Sequence, residues 1–457
     1  MNNFYIFWMV VFHILFLQST LIAQNKTYQF DGLWQSYTYG ETIEIIGDSV
    51  SIYQQNNSKL MHRRFTTAVL QDNMLKMITK DTPFAGITNY QLSLADNILI
   101  LTEEHAQTVY YYYRVDKKQP LLNHSNDPLV NLWYFWHMHF ERYPYFEQRQ
   151  IDWVKAKDMI NSLSHSDINE DQLFENLKML VDFFVDDGHI WIARMKNEEI
   201  DFYTPLHKNP VESIKPKKDL MFLIGEKYLD QHQYHTTANG KIIYKYLADS
   251  IGYIFIASFY EMSDKSEKVE QKNDLMSDLD SLYSYFKDAK ALIVDVRYNG
   301  GGNDWAALTC SGLFLPESES VLSKRSRIQG TNEYGLPQIS RTSVLENNLS
   351  GIPTFVLSGK FSVSATETFL IALKKSPDIV AIGEASRGML SDSYVFELPN
   401  GWFFGVYSDR VYSYDGNIYE GRGVPVDREI IMQRSDYDKG IDTVLEAAIL
   451  YFKNKGS

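Results

Sequence analysis

Cysteine is almost missing from this chain: Cys310 stands alone among 457 residues. A single thiol closes no internal disulfide, builds no cysteine-based metal site and, so far from the N-terminus, cannot be a lipid-modified residue at a leader's cleavage point. Its apolar surroundings predict a core residue and not a nucleophile. Basic residues are outnumbered, 44 Lys and Arg against 58 Asp and Glu, for a net charge of -14. They gather into no block that could neutralise a row of phosphates, which excludes nucleic acid as a partner. No internal period of solenoid length is present. His137 and His139 have no carboxylate or cysteine at ligand spacing, so they predict packing or surface roles, and the sequence offers neither a metal nor a cofactor site.

Long apolar runs are also scarce. The only one, about Phe4 to Phe16, is followed by small or polar residues at Ser19, Thr20 and Ala23. This predicts a signal peptide over residues 1–23, cut near Ala23, and an exported mature chain, periplasmic or extracellular, without a membrane span. An uncleaved anchor is the alternative, for which the run is short. The sequons Asn25-Lys26-Thr27 and Asn123-His124-Ser125 matter only in a host that glycosylates. With 44% apolar residues, the remainder is long enough for two or three domains with a substantial core.

Residues 24–118 alternate in short apolar and polar steps, and Ile43 to Ile52 predicts two strands around a Gly47-Asp48 turn. This is a small β-domain. Its tyrosine run, Tyr110 to Tyr113, suits a strand with one buried face as well as it suits a ligand platform, and the former reading is preferred. Over residues 125–195 the period becomes helical, with Leu132, Trp136, Phe140 and Tyr143 stopping at Pro144, then Leu173, Leu177, Val181 and Phe184. Beyond that, residues 196–457 alternate strand-like and helical runs. Ile254 to Phe259, a helix carrying Leu275, Leu279, Leu282 and Phe286, and Ala291 to Val296 come first. Thr354 to Leu357, a helix through Phe369 and Leu373, and Ile379 to Ile382 repeat the order. Strand, helix, strand spacing of this kind predicts crossover connections in an α/β (α+β) core.

Three places carry residues that packing alone does not require. In Asp295-Val296-Arg297-Tyr298-Asn299-Gly300-Gly301-Gly302, glycines strip away side chains at the end of a buried strand and expose N–H groups that can hold an anion. A tight turn explains the glycines equally, and Asp295 with Arg297 reads best as a structural ion pair. In Gly359-Lys360-Phe361-Ser362-Val363-Ser364-Ala365-Thr366-Glu367, a serine sits where a strand turns into a helix, at the positive end of the helix dipole. Ser362 or Ser364 could instead cap that helix, with Glu367 completing a capping box. Asp186-Asp187-Gly188-His189 places a histidine in the turn before a strand, His189 to Ile192, where a serine could find its base.

Taken in order, Asp295-Val296-Arg297 with Asn299-Gly300-Gly301-Gly302, then Ser364-Ala365-Thr366-Glu367, Gly383-Glu384 and Gly423-Val424-Pro425 resemble the tail-specific (carboxyl-terminal processing) protease family over roughly the last two-thirds of the chain. The resemblance implies a core of that fold, protein or peptide substrates and a nucleophile at Ser364. One branch of the family takes a lysine from G-E-x-x-x-G-K as base. Here the stretch is Gly383-Glu384-Ala385-Ser386-Arg387-Gly388-Met389, and neither methionine nor a permanently protonated arginine accepts a proton. The other branch, which resembles tricorn protease, uses a histidine before the core, oriented by a glutamate near the last motif. His189 and Glu420 stand in those places, although Gly188 replaces the serine that precedes the histidine in tricorn itself.

The implied mechanism is acyl transfer. His189 takes the Ser364 proton, Glu420 holds the imidazole tautomer, and the N–H groups of Ala365 and of Gly301 or Gly302 receive the oxyanion. No PDZ module is evident between Arg194 and Ser250. Two other readings stay open: a non-catalytic peptide-binding member of the fold, kept alive by Met389 and Gly188, and an esterase or amidase using the same residues.

Overall fold

The computed structural model describes residues 28–36, 38–56, 59–80, 86–103, 109–163, 167–205, 227–228, 234–247, 250–265 and 268–455. The expected signal peptide, and most of the stretch in which a PDZ module was sought, lie outside them.

The N-terminal β-domain is a closed barrel. Gly47, at φ +59°, turns strand Glu41–Ile46 back on Ser49–Asn56, with Ile46 opposite Ser49. Successive antiparallel pairings run on to Val109–Arg114, which pairs with Gly32–Gln35, which in turn pairs with Glu41–Ile46. Eight strands thus close the ring, and Lys59–His62 adds to its side along Ser49–Asn56. Closure leaves the barrel strands no free edge. Trp34, Ile43, Leu75, Leu92 and Leu99 fill the interior.

The helical segment starts where Asp127 accepts the Leu129 and Val130 N–H groups at 2.8 and 3.3 Å, with Pro128 at the first helical position. Helix Pro128–Arg142 packs its aromatic face against Trp153–Ser162 and Glu170–Val181. His139 is a packing residue: it is fully buried, its Nδ1 donates to the Phe135 carbonyl at 2.9 Å, and burial pushes it down to about 4.

Seven strands form the core sheet. Ile251–Ile256, Ala291–Asp295, Thr354–Ser358 and Ile379–Gly383 run parallel at its centre. The first begins and ends three residues earlier than the apolar run Ile254 to Phe259 suggests, because Phe259 leaves the sheet to bridge Gly302. Helices Lys268–Phe286, Asp304–Gly312 and Ala365–Leu373 cover one face, and Thr443–Lys455 covers the other. This is the mixed α/β core that the alternating runs predict. Cys310 is buried in it, where burial pushes its thiol up and suppresses the thiolate.

A second sheet of four antiparallel strands, ordered Glu199–Tyr203, Trp191–Lys196, Phe403–Val406 and Tyr394–Glu397, joins the helical segment to the core. The strand after His189 therefore starts at Trp191, not at the histidine.

Arg297 ties the core sheet to its last helix. Its Nε and Nη2 donate to the two Asp295 oxygens at 3.0 and 2.6 Å, and Nη1 and Nη2 to those of Asp442 at 2.8 and 2.7 Å. Asp442 also caps helix Thr443–Lys455 by accepting the Leu445 N–H. The expected structural ion pair is thus a buried triad. Removing its cation strands two carboxylates in the core, so Arg297→Met should lower stability by about 3–5 kcal/mol, read as a drop in the denaturation midpoint followed by tryptophan fluorescence.

Candidate active site

Strand Thr354–Ser358 and helix Ala365–Leu373 are joined by a turn whose last residue, Ser364, has φ 58° and ψ -123°. That conformation is sparsely populated for a residue with a Cβ and costs of order 1–3 kcal/mol. Strained strand-to-helix turns of this kind lift a nucleophilic hydroxyl clear of the backbone. Ser364 is half-buried. The Glu367 N–H donates to the Ser364 carbonyl oxygen at 2.7 Å, so main chain satisfies this first-turn amide whatever the hydroxyl does.

The glycine turn lies directly against this serine. A Cβ on Gly301 would fall 2.8 Å from Ser364 Cβ, 2.7 Å from the Val363 oxygen and 3.3 Å from the Ala365 nitrogen. Two bonds zip the loops together, since the Asn299 carbonyl accepts the Val363 N–H at 3.2 Å and the Thr366 hydroxyl at 2.9 Å. Sequence left the choice between Gly301 and Gly302 open, and the bonding distinguishes them. Gly301 N–H already donates to Asn299 Oδ1 at 2.9 Å. Among the described residues, the N–H groups of Gly302 and Ala365 find no acceptor.

His189 reaches the same region through Met389. Its neighbour Gly188 abuts that side chain, and a Cβ there would meet the Met389 sulfur at 3.2 Å. Met389 N–H in turn donates at 2.8 Å to Glu367, three residues past the serine. The histidine is held by its main chain: its N–H on Asp187 Oδ1 at 3.3 Å, its carbonyl receiving the Ser393 hydroxyl at 2.9 Å. Its ring stands edge to face with Tyr407, and its Nδ1 is buried with no partner among the described residues.

Glu420 is not that partner. Its Oε2 accepts from the Leu390 N–H at 2.8 Å, the Ser391 N–H at 3.1 Å and the Ser391 hydroxyl at 3.2 Å, and its Oε1 from Arg149 at 2.5 Å. Arg149 also lies 3.5 Å from Asp187 Oδ2, so one guanidinium bridges Glu420 to the turn that carries His189. The two expected triad members are thus joined through Arg149 and not by a direct bond. Arg149 and Ser393 escaped the sequence reading because their polar partners are distant in sequence, which leaves no periodic or spacing signal.

Glu367, like Glu420, accepts four hydrogen bonds. Ser364 N–H (3.0 Å) and Met389 N–H (2.8 Å) reach Oε2, while Gly388 N–H and the Ser386 hydroxyl reach Oε1, both at 2.6 Å. Burial nevertheless pushes it up to about 7, against the pull of those donors.

Residues 250–430 match the model for Peptidase family S41, so this core is similar to the tail-specific proteases, a family of serine-type peptidases. The carboxy-terminal processing protease CtpA of Bacillus subtilis (strain 168) is 31% identical over 147 residues, 32% of this chain and 28% of that protein. The chain therefore spans under a third of that relative's length. A crystal structure of a candidate peptidase from Parabacteroides merdae matches at 25% identity with a TM-score of 0.59, over 72% of this chain and 97% of that one. The tricorn protease matches at 12% identity and TM-score 0.41, over 91% of this chain and 46% of that one, too distant a likeness to bear on the choice of base.

The raised Glu367 value sets a sign. The fold holds this proton more tightly than the unfolded chain does, so its contribution to stability is full below about pH 4.5 and is lost as the pH rises through about 7. Glu367→Gln should flatten the fall in denaturation midpoint between about pH 5 and 8. An unchanged slope would assign that fall to other groups.

Proposed function

We propose that the chain is an exported serine-type peptidase that cleaves peptide bonds through an acyl-enzyme formed on Ser364. The backbone of Ser364 is the observation that carries this reading, because a cap needs no strained φ, whereas a nucleophile gains from one. His189 is the base. Met389 stands in the lysine position, and His189 follows Gly188, which packs against Met389, whose N–H is bonded to Glu367 of the helix that Ser364 begins. His189 removes the Ser364 proton as the hydroxyl attacks the carbonyl, then returns it to the leaving amine. Water, deprotonated by the same imidazole, releases the acyl group.

The oxyanion is received by Ala365 and Gly302, whose N–H groups are uncommitted among the described residues, while Gly301 serves by its lack of a side chain. Each such donor contributes about 10²–10³ in rate in well-studied enzymes. Glu420 works at one remove. Its charge fixes Arg149 and the turn Gly388 to Ser391, and through Arg149 the Asp187 turn that presents His189. Direct orientation of the imidazole by Glu420 would require Nδ1 to gain a bond that it lacks here. Export rests on the apolar run and small residues of 1–23.

The test is a fluorophosphonate probe on the mature chain, with the adduct located by mass spectrometry. Labelling should map to Ser364 and vanish in Ser364→Ala, and His189→Ala should slow it by about 10²–10⁴-fold. Labelling that persists in Ser364→Ala would remove the assignment.

A further inference from the structure

The barrel is packed along only part of its length. Inward positions recur every second residue on a strand, and at one end Ile43, Leu75, Leu92 and Leu99 meet in a dry plug. Two residues along the same strands, Glu41, Met77, Tyr90 and Leu101 line a cavity of about 220 Å³ instead. Tyr110 and Tyr112 complete its wall from the strand whose tyrosine run stood out in the sequence. The open end is covered by Ser393 to Phe396, hence by the edge strand of the four-stranded sheet.

The walls have a defined chemistry. Tyr110 stands edge-on to Tyr39 at 4.8 Å and to Tyr90 at 5.8 Å, which leaves flat aromatic faces and edges around the space. One ion pair enters it. Arg63 Nη1 meets Glu41 Oε1 at 2.6 Å, the Tyr112 hydroxyl donates to Glu41 Oε2 at 3.0 Å, and Arg63 Nη2 donates to the Val395 carbonyl at 3.3 Å. Glu41 is thereby neutralised. Arg63 Nε, however, is buried and has no partner among the described residues. A buried donor left unpaired asks for an acceptor, and a guanidinium takes a carboxylate best. The volume is below the ~300–1,000 Å³ of drug-sized sites, which excludes an acyl chain and suits a molecule of about one ring.

We propose that this cavity binds one small carboxylate-bearing molecule with a flat apolar body, and that its occupancy is transmitted to His189. The link is Ser393, which forms part of the cavity wall while its hydroxyl donates to the His189 carbonyl at 2.9 Å and accepts from Trp191 Nε1 at 3.1 Å. An occupant that shifts the covering strand shifts the histidine's main chain with it. The transmission rests on the reading of His189 as base; the binding site does not.

The two are tested separately on the full mature chain. Calorimetric titration with 3-phenylpropionate, 3-phenylpropylamine and 3-phenylpropanol compares an anion, a cation and a neutral molecule of one size. The anion should bind saturably at one per chain, at least ~tenfold more tightly than the others. Arg63→Lys, which keeps the charge but removes Nε, should weaken it at least ~tenfold, and Tyr110→Trp, which fills the cavity, should abolish it. Near-UV circular dichroism verifies that the barrel is intact in both. Absence of saturable binding, binding undiminished in both variants, or preference for the amine overturns the site. Saturating 3-phenylpropionate should change the rate at which fluorophosphonate labels Ser364, and not in Tyr110→Trp. An unchanged rate with the cavity occupied overturns the transmission. If Ser364 is labelled in no sample, the peptidase reading fails, and the heats still decide the site.

Discussion

A single buried carboxylate holds the candidate site together. Glu367 belongs to the helix that Ser364 begins, yet half of its hydrogen bonds come from Ser386 and Gly388 and a further one from Met389, on a separate loop. Four donors on two oxygens leave it little freedom. The nucleophile turn is thus bolted to the Ser386 to Met389 loop, that loop to the Gly188 turn through Met389, and its continuation to Arg149 through Glu420. Burial disfavours the charge that these donors recognise, so part of the free energy of folding is spent in keeping the carboxylate in place. The strained serine survives because its surroundings are over-determined.

Gly188 and Met389, the two positions that set this chain apart in the sequence reading, pack against each other. The methionine fills the place of a lysine side chain, and its sulfur lies so near Gly188 that even one added carbon would be tight.

Much of the core was legible from residue order. Continuous apolar runs, helical spacing and crossover order gave the four parallel strands, and the Gly-Asp turn gave one hairpin of the barrel. Strand ends were less legible: Phe259 is as apolar as Ile256, but its backbone is taken by Gly302. Barrel closure was not legible at all, since it depends on Gly32–Gln35 meeting Val109–Arg114, partners far apart in sequence with no local mark. At the site, the turn holding Ser364 and Ala365 and the glycine turn could be located because their sequence marks are local. The placing of Glu420 could not, because it depends on Arg149, which lies 271 positions away.

The barrel also has a role toward its neighbour that follows from how it closes. Tyr394–Glu397 is the outermost strand of its sheet, and an outermost strand is a template for any passing chain. Here the barrel occupies that template with side chains: Gln54 takes both the N–H and the carbonyl of Glu397, and Arg63 takes the carbonyl of Val395. An amide side chain so placed imitates the next strand without being one. A core expressed without its barrel would expose a ready strand edge, and self-association, more than loss of fold, would be its characteristic failure.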